Sequence, residues 1–318
     1  MNTKCNKQKG NQVNIMQKYK SIKAFRPVMS EAFKPGDWIV IHEKIDGSNY
    51  SVKPDRNEKV VKGMSRRHEL TPLETMRGAY GFTMSLDYDK INKALGDKLI
   101  LFGEWLTKHT IVYPQDCYQK AYFYDVFNVE TNTYLPQDEV TRIIDELGLI
   151  SVPVFYSGPF ISWDHVYSFV GKTGLGGDIG EGIVVKNMTR LRPNEFDHSE
   201  APFYVKIVTS EFRETKSHRF TEVDLAALHQ KGKDIAITRT IVTKARVQKM
   251  IHNLVDEDII PEDWDSEHMK TIAKHLGKRI YEDCLKEEPE TVALAGDQFG
   301  RYASYEAMSY AKQILAAK

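Results

Sequence analysis

Residues 43–49 have the sequence Glu43-Lys44-Ile45-Asp46-Gly47-Ser48-Asn49 and directly follow a run of β-branched and aromatic residues at positions 38–42. That run predicts a strand, so Lys44 lies just past a strand end. A lysine in such a loop can act as a nucleophile when burial and nearby cations lower its pKa. Lys44 is therefore a candidate nucleophile. The competing interpretation is a solvated lysine in an exposed hairpin turn.

Further residues with chemical potential follow Lys44 in order, each on or beside a predicted strand. They are Glu104 after Gly103, the aromatic pair Tyr122 and Tyr124, Glu181 before Gly182, Lys186, and Lys206. Each piece alone is common in ordinary sheets. The ordered set is hard to obtain by chance, and it therefore indicates one shared site.

This ordered set resembles the covalent nucleotidyltransferase superfamily of ATP-dependent DNA ligases, RNA ligases and mRNA capping enzymes, over roughly residues 38–215. The resemblance implies an α+β fold with an N-terminal nucleotidyltransferase domain of ATP-grasp-like antiparallel sheets and helices. It also implies that Lys44 attacks the α-phosphorus of ATP, forms a lysyl-AMP and releases pyrophosphate. Mg²⁺ (or Mn²⁺) and cationic side chains would neutralise the phosphates.

The resemblance implies a role for each matching residue. Lys186 and Lys206 match phosphate-binding lysines and, with Lys44 and Glu181, are expected to be catalytic. Glu181 matches the carboxylate that helps to bind the catalytic metal, and Glu104 matches the acid that holds the ribose hydroxyls. Nucleotide contacts are further expected from Glu43, Ile45, Asn49, Arg66 and Tyr124.

Two of these assignments have a neighbouring competitor, and one motif position departs from the family. Tyr122 and Tyr124 point to the same strand face, so either can stack on the purine; Tyr124 is preferred because it directly precedes Asp125. Arg66 is preferred over its neighbour Arg67 as the nucleotide or donor-phosphate contact. The last motif often has a second lysine two residues after the first, and here that position is Val208.

Strand signals dominate up to about residue 208, interrupted by predicted helices at 137–147 and 162–170, and a hairpin turn is predicted at 54–57. After about residue 222 helical periods take over. The predicted helices there are 223–228, 240–254, 266–276, 279–285 and 302–316. We therefore predict a flexible basic arm at 1–17, an adenylyltransferase domain at 18–222 and an all-helical C-terminal domain at 223–318.

The helical C-terminal domain distinguishes the branches of the superfamily. Most DNA ligases and capping enzymes carry a five-stranded OB-fold after the last motif. A helical domain at that place is similar to the RNA ligase 2-like family of phage double-strand RNA ligases and RNA-editing ligases. The first motif and the segment after the last motif resemble that family as well.

Lys plus Arg and Asp plus Glu each number 44, so the formal net charge of zero argues against a histone-like binder but allows a local basic groove. The three cysteines are too widely spaced for a zinc site or disulfide framework. We expect a monomer that acts in the cytoplasm, has no membrane span and suits a phage or a bacterium as its source. The basic segment 206–249 is a candidate nucleic-acid face, against the alternative of solvated helix charges, and the acid-rich stretch 256–267 is expected to avoid nucleic acid.

The leading hypothesis is an ATP-dependent RNA ligase that joins 3′-OH and 5′-phosphate ends at nicks in duplex RNA or RNA–DNA hybrids. The enzyme alternative is an ATP-dependent DNA ligase or a capping guanylyltransferase. A non-catalytic nucleic-acid-binding relative ranks lower, because Lys44, Glu104, Glu181, Lys186 and Lys206 are all present.

Overall fold

The computed structural model describes residues 17–189, 203–209 and 230–318. The predicted arm up to residue 16, the predicted helix 223–228 and part of the basic segment lie outside the described residues. The predicted α+β class is confirmed, because the described residues form two sheets and a set of helices.

One sheet has five strands in the order β1-β11-β10-β2-β9. Its strands are β1 (Lys23–Ala24), β2 (Trp38–Lys44), β9 (Val154–Pro159), β10 (Gly182–Asn187) and β11 (Tyr204–Val208). Neighbouring strands are antiparallel except for β1 and β11. The register places Gly182 opposite Lys44, so that Glu181 and Lys44 meet at one end of the sheet.

The second sheet has the order β4-β3-β5-β6-β7, with β8 beside β6. Its strands are β3 (Ser48–Asp55), β4 (Val60–Ser65), β5 (Leu99–Leu106), β6 (Lys120–Asn128), β7 (Thr133–Tyr134) and β8 (Ile150–Ser151). The register places Asn49 directly opposite Glu104. Since β3 follows β2 after only three residues, the two sheets meet where the Lys44 segment passes between them.

The hairpin turn between β3 and β4 falls later than predicted. Pro54 continues β3 and pairs with Val61, which is tolerated because β5 covers only the first part of β3, up to Val52. The Asp55 carboxylate then accepts hydrogen bonds from the backbone N–H groups of Asn57 and Glu58 at 2.9 and 3.1 Å. This local turn, centred after Asp55, replaces the predicted turn at 54–57.

Among the described residues, four α-helices accompany the sheets. They are α1 (Ala79–Ser85), α2 (Tyr88–Leu95), α3 (Gln137–Leu147) and α4 (Trp163–Tyr167). The α3 prediction is confirmed at both ends, with Gly148 in the left-handed conformation as C-cap. The sequence analysis missed α1 and α2 because each has eight residues or fewer and buries only two side chains.

Residues 230–318 are helical. The helices are α5 (Gln230–Ile241), α6 (Lys244–Asp256), α7 (Met269–Glu287), α8 (Pro289–Leu294) and α9 (Phe299–Ala316). The predicted helix 240–254 is wrong at its start, because Thr243 caps a new helix by accepting from the Arg246 N–H at 3.3 Å. The two helices predicted at 266–276 and 279–285 are instead one, since α7 continues through Gly277.

The helical part has its own apolar core. Its cluster of buried side chains runs from Ile237 to Ile314 and includes Trp264 and Phe299. Four other clusters of described side chains lie in the sheet-containing part, and one of them contains both Phe102 of β5 and Tyr204 of β11, from the two sheets. None of the helices in the described part of the chain is long and apolar enough to cross a membrane.

Candidate active site

The Lys44 segment lines a cavity of about 410 Å³ that has walls from both sheets and from α6 and α7. Lys44 Nζ donates to Glu181 Oε2 at 2.6 Å, across the β2–β10 pair. All ten predicted site residues line this cavity: Glu43, Lys44, Ile45, Asn49, Arg66, Glu104, Tyr124, Glu181, Lys186 and Lys206. The structure therefore brings together residues up to 163 positions apart in the chain.

The charges around Lys44 differ from the expectation of neighbouring cations. Burial lowers the pKa of Lys44, but the carboxylates of Glu181, Glu104 and Asp46 outweigh burial and raise it. Lys44 is therefore placed as an ammonium ion among acids. The expectation that nearby cations lower its pKa is wrong, because carboxylates surround it, and Lys44 must lose a proton before it can act as a nucleophile.

Glu104 faces Lys44 from the six-stranded sheet. Burial and the nearby Glu181 charge raise the pKa of Glu104 to about 7, although Lys44 partly offsets both effects. Gly47 lies close to this side chain: a Cβ at position 47 would stand 2.9 Å from Glu104 Cγ and 2.7 Å from the Trp105 carbonyl oxygen. The glycine of the first motif therefore leaves room for Glu104 to enter the cavity.

Tyr124 and Tyr122 are separated by a register shift in the β5–β6 pair. Phe102 pairs with Asp125 and Gly103 with Phe123, which leaves Tyr124 as the extra residue of a bulge. Tyr124 lines the cavity, and its hydroxyl accepts from Asn49 Nδ2 at 2.8 Å. Tyr122 is buried in an apolar cluster and donates to a backbone carbonyl. Only Tyr124 of the two is placed to meet a ligand.

Glu43 and Ile45 flank Lys44 and support the loop around it. The Glu43 carboxylate accepts from the backbone N–H groups of Gly174 and Leu175 at 2.7 and 3.3 Å, which fixes the glycine-containing loop before β10. Ile45 packs into the apolar cluster that contains Tyr122. Both line the cavity, yet their contacts position the Lys44 loop itself.

Lys186 is placed differently from what the motif predicts. Its side chain is 1% exposed, and its ammonium group donates to Asp125 Oδ1 at 2.8 Å, to the Tyr124 carbonyl at 2.9 Å and to Gln137 Oε1 at 3.2 Å. Three protein acceptors thus take its three protons, which does not fit the predicted phosphate contact. The pair with Asp125 instead ties β10 to β6 directly behind Tyr124.

The remaining predicted cations, Lys206 and Arg66, line the cavity and contact other parts of the chain. Lys206 Nζ is 3.3 Å from Glu287 Oε2 of α7, and Arg66 donates to Ser21 Oγ at 2.7 Å. Its neighbour Arg67 pairs with Glu257 at 3.0 Å. All three contacts join the sheets to other parts of the chain.

Sequence analysis missed an ionic cluster between the first motif and the end of α6. His109 lies between Asp46, at 3.5 Å, and Asp256, at 3.0 Å, and Ser48 also donates to Asp256. Burial lowers the pKa of His109, but its hydrogen bonds to Asp256 and Asp46 raise it to about 10. The aspartate of the first motif was a usable signal, whereas nothing in the local sequence marks His109 or Asp256.

The acid-rich stretch and the basic segment meet protein partners in the described residues. Asp256 and Glu257 contact cations of the sheet-containing part, as described above. In the basic segment, Arg246 is 1% exposed and pairs with Asp283, so it is wrong as a surface contact for nucleic acid. Lys249 is half-exposed, lines the cavity and lies 3.9 Å from Asp283.

The carboxylates near Lys44 are candidate metal ligands. Within the ranges that the structure describes, no three His, Cys, Asp or Glu side chains are grouped so as to hold a metal ion. Glu181 and Glu104 nevertheless offer the oxygen ligands that Mg²⁺ prefers, and their mutual repulsion would be relieved by a cation. The site fits a metal bound by one or two carboxylates.

A sequence model of the RNA ligase family matches residues 37–208, which is more than half of the chain. The chain belongs to the RNA ligase family. The predicted resemblance to RNA ligases is thereby confirmed. No curated protein sequence matches the chain significantly.

Solved structures similar to this RNA ligase family member include an apo RNA ligase of Naegleria gruberi, with 15% identity and a TM-score of 0.44. That match covers 62% of this chain and 57% of the Naegleria chain, so this chain spans little more than half of that relative. A Naegleria gruberi RNA ligase with ATP and Mn has 15% identity, a TM-score of 0.43 and the same coverage. An archaeal ATP-dependent RNA ligase has 15% identity, a TM-score of 0.47 and coverage of 95% and 67%.

Proposed function

We propose that this protein is an ATP-dependent RNA ligase that joins 3′-OH and 5′-phosphate ends through a lysyl-AMP at Lys44. The observation that carries the proposal is the placement of Lys44 Nζ 2.6 Å from Glu181, in a cavity that also contains Glu104, Tyr124 and Lys206. Membership of the RNA ligase family supports the same reaction. The substrate that we propose is a nick in duplex RNA or in an RNA–DNA hybrid.

The first step forms a bond between Lys44 Nζ and the α-phosphorus of ATP and breaks the bond to the bridging oxygen, so that pyrophosphate leaves. Lys44 must first lose a proton, because only the neutral amine is a nucleophile, and cations beside the phosphates would favour that loss. The AMP then passes to a 5′-phosphate, and a 3′-hydroxyl displaces it. These are phosphoryl transfers, for which positioning and charge neutralisation supply most of the rate.

The nucleoside half of the pocket comes from the six-stranded sheet. We propose that Tyr124 stacks on the adenine and that Glu104 accepts hydrogen bonds from the ribose hydroxyls. Asn49 supports Tyr124 through the 2.8 Å hydrogen bond to its hydroxyl. Lys186 acts as a positioning residue behind Tyr124, since its protons are held by protein acceptors.

The phosphate half comes from the five-stranded sheet. Lys206 lines the cavity, and Glu181 would hold Mg²⁺ or Mn²⁺ there. Such a metal ion, when bound, neutralises the phosphate charge and lowers the pKa of nearby groups. We assign residues 18–222 to an adenylyltransferase domain and 223–318 to a helical domain, with 1–17 as a basic arm.

Intact-protein mass spectrometry tests the covalent step. The protein, freed of any bound AMP, is incubated with Mg²⁺ and ATP, GTP or NAD separately. We expect an AMP adduct from ATP alone, absent from Lys44→Ala and retained in Lys90→Ala, which changes an exposed lysine of α2.

Other outcomes point to other functions. A GMP adduct would indicate a capping enzyme, and an AMP adduct from NAD a different class of ligase. If ATP gives the adduct, nicked duplexes with RNA or DNA at the 3′-OH side separate RNA ligation from DNA ligation. Absence of any adduct would contradict the proposal and favour a nucleic-acid-binding relative without ligase activity.

A further inference from the structure

Two cationic side chains converge on one neutral oxygen at the helical end of the cavity. Arg66 Nη2, from the end of β4, donates to Ser21 Oγ at 2.7 Å, and Lys286 Nζ, from α7, donates to the same oxygen. Both side chains line the cavity, and Lys206 lines it beside them. A hydroxyl satisfies donors but does not neutralise charge, so this arrangement leaves positive charge concentrated at one point.

Nearby carboxylates are used by other cations. Glu287 lies 3.3 Å from Lys206, and Asp283 pairs with Arg246. Burial, followed by the charge of Arg66, lowers the pKa of Lys286 to about 8, with Lys206 acting in the same direction against Glu287 and Asp283. A bound anion would relieve the repulsion between this ammonium group and the neighbouring arginine.

The charge also corresponds to a gap in the last motif. Lys206 and Val208 point to the same face of β11, so a second lysine at position 208 would have added a cation to this side of the sheet. The chain has Val208 there. Helix α7 supplies a cation to the same cavity from the other side.

We propose that Arg66 and Lys286 together bind a terminal phosphate group, and that Lys286 thereby makes the helical part a participant in phosphoryl transfer. The proposal rests on the function proposed above. Arginine offers a planar pair of donors and lysine a compact charge, a combination suited to a phosphate with several free oxygens. The phosphate belongs either to the pyrophosphate portion of ATP or to the 5′ end of the RNA.

Binding of inorganic pyrophosphate, measured by calorimetry on AMP-free protein, provides a readout that does not depend on catalysis. If the site takes the pyrophosphate portion of ATP, Lys286→Ala and Arg66→Ala weaken binding by about tenfold or more, and Lys286→Arg retains most of it. The control is Lys274→Ala, which removes an exposed lysine of the same helix outside the cavity and should change binding less than twofold.

Binding of nicked duplexes with a 5′-phosphate or a 5′-hydroxyl tests the second source. If the site takes the RNA end, Lys286→Ala abolishes the preference for the 5′-phosphate while pyrophosphate affinity stays at the Lys274→Ala level. If Lys286→Ala raises the KM for ATP but seals pre-adenylylated RNA normally, the phosphate that binds here belongs to ATP. Equal behaviour of Lys286→Ala and Lys274→Ala with both probes overturns the proposal.

The pH dependence of binding adds a signature that a purely structural lysine would not give. Raising the pH through about 8 removes the proton of Lys286, so binding of the phosphate probe weakens in the wild-type protein relative to Lys286→Arg. Within the described residues, the charged groups facing Lys286 are Arg66, Lys206, Asp283 and Glu287. A ratio of the two affinities that is constant from pH 7 to 9 would contradict the proposal.

Failure of this proposal differs from failure of the proposed function. If the wild-type protein forms the AMP adduct and Lys286→Ala binds both probes as Lys274→Ala does, only the phosphate site is contradicted. The opposite result is that the wild-type protein forms no AMP adduct but binds pyrophosphate, and that Lys286→Ala weakens this binding. That result would contradict the ligase function and support the phosphate site.

Discussion

The surroundings of Glu104 disfavour its ionised form and thereby reduce the stability of the folded protein at neutral pH. Its pKa of about 7 lies above the ordinary value of 4.5, so the folded protein binds this proton more tightly than the unfolded chain does. The free energy of unfolding therefore falls as the pH rises from about 4.5 to 7 and is not recovered above that range. A carboxylate kept in such surroundings is typical of a functional site.

Glu104→Gln is predicted to stabilise the protein and impair nucleotide binding. Thermal unfolding should show Tm equal to that of the wild type near pH 4.5 and higher by a few degrees at pH 8. The KM for ATP in adenylylation should rise by about tenfold, because a neutral amide is a weaker acceptor for ribose hydroxyls. Glu31→Gln, an exposed control, should change neither quantity, and a Tm difference independent of pH would contradict the assignment.

Gly47→Ala is predicted to act through Glu104. The added Cβ would stand 2.7 Å from a backbone oxygen and 2.9 Å from Glu104 Cγ, so the strand or the side chain must move. We expect a KM for ATP at least about tenfold higher, measured by adduct formation against ATP concentration.

The matched control is Gly81→Ala in α1, where a Cβ would have nothing within 4 Å. That change should leave adenylylation unaltered and stabilise the protein by up to about 1 kcal/mol, since alanine is the better helix former. A wild-type KM for Gly47→Ala would show that the close approach is not needed.

At the scale of single residues, residue type and order along the chain were sufficient to predict which side chains share one site. Lys44, Glu104 and Glu181 lie around one cavity as the motif order predicts. His109 and Asp256 could not be predicted, because they are 147 residues apart and their contact depends on how α6 packs. The surroundings of Lys44 also escaped prediction, since they depend on which carboxylates the fold brings near.

At the scale of elements, α7 shows why helix ends are difficult to predict. Gly277 suggests a break, yet the helix continues through this residue. Helix α9 crosses α7 at this point. A Cβ at Gly277 would stand 2.5 Å from Ser304 Oγ and 3.1 Å from Ser304 Cβ. The glycine therefore permits close helix packing, and only the tertiary structure gives it that role. Helix α3, in contrast, has both its apolar period and its C-cap in the local sequence.

Gly277→Ala is predicted to destabilise the protein although alanine favours helices. Chemical denaturation should show a loss of about 1–2 kcal/mol, in the range for overpacking a core. Adding Ser304→Ala should recover part of that loss, because it removes the nearer of the two atoms. Additive effects of the two substitutions would contradict a direct contact between them.

At the scale of the whole molecule, the ionic cluster of Asp46, His109 and Asp256 joins the first motif to the helical part. The folded-state pKa of His109, about 10, lies above its ordinary value of 6.5. Its contribution to stability is therefore fully present below about pH 6.5 and is lost as the pH rises through 10. This linkage makes docking of the helices sensitive to alkaline pH.

His109→Gln is predicted to lower Tm at pH 7 by roughly 5 °C or more, because removing one member of a buried ionic cluster commonly costs about 3–5 kcal/mol. The difference from the wild type should shrink as the pH approaches 10. His275→Gln on α7 is the control and should shift Tm little at either pH. A Tm difference that stays constant between pH 7 and 10 would exclude a charged His109.

The pairing of Lys186 with Asp125 has a consequence for nucleotide selection. Tyr124 and Glu104 belong to one sheet and Lys44 and Lys206 to the other. On the function proposed above, the span from the base to the reacting phosphorus therefore depends on both sheets. That span is set by how the two sheets pack, through the 2.8 Å ion pair and the apolar cluster between them. Acceptance of a longer or shorter nucleotide analogue could therefore be altered by substitutions in the interior, without touching any side chain that meets the ligand.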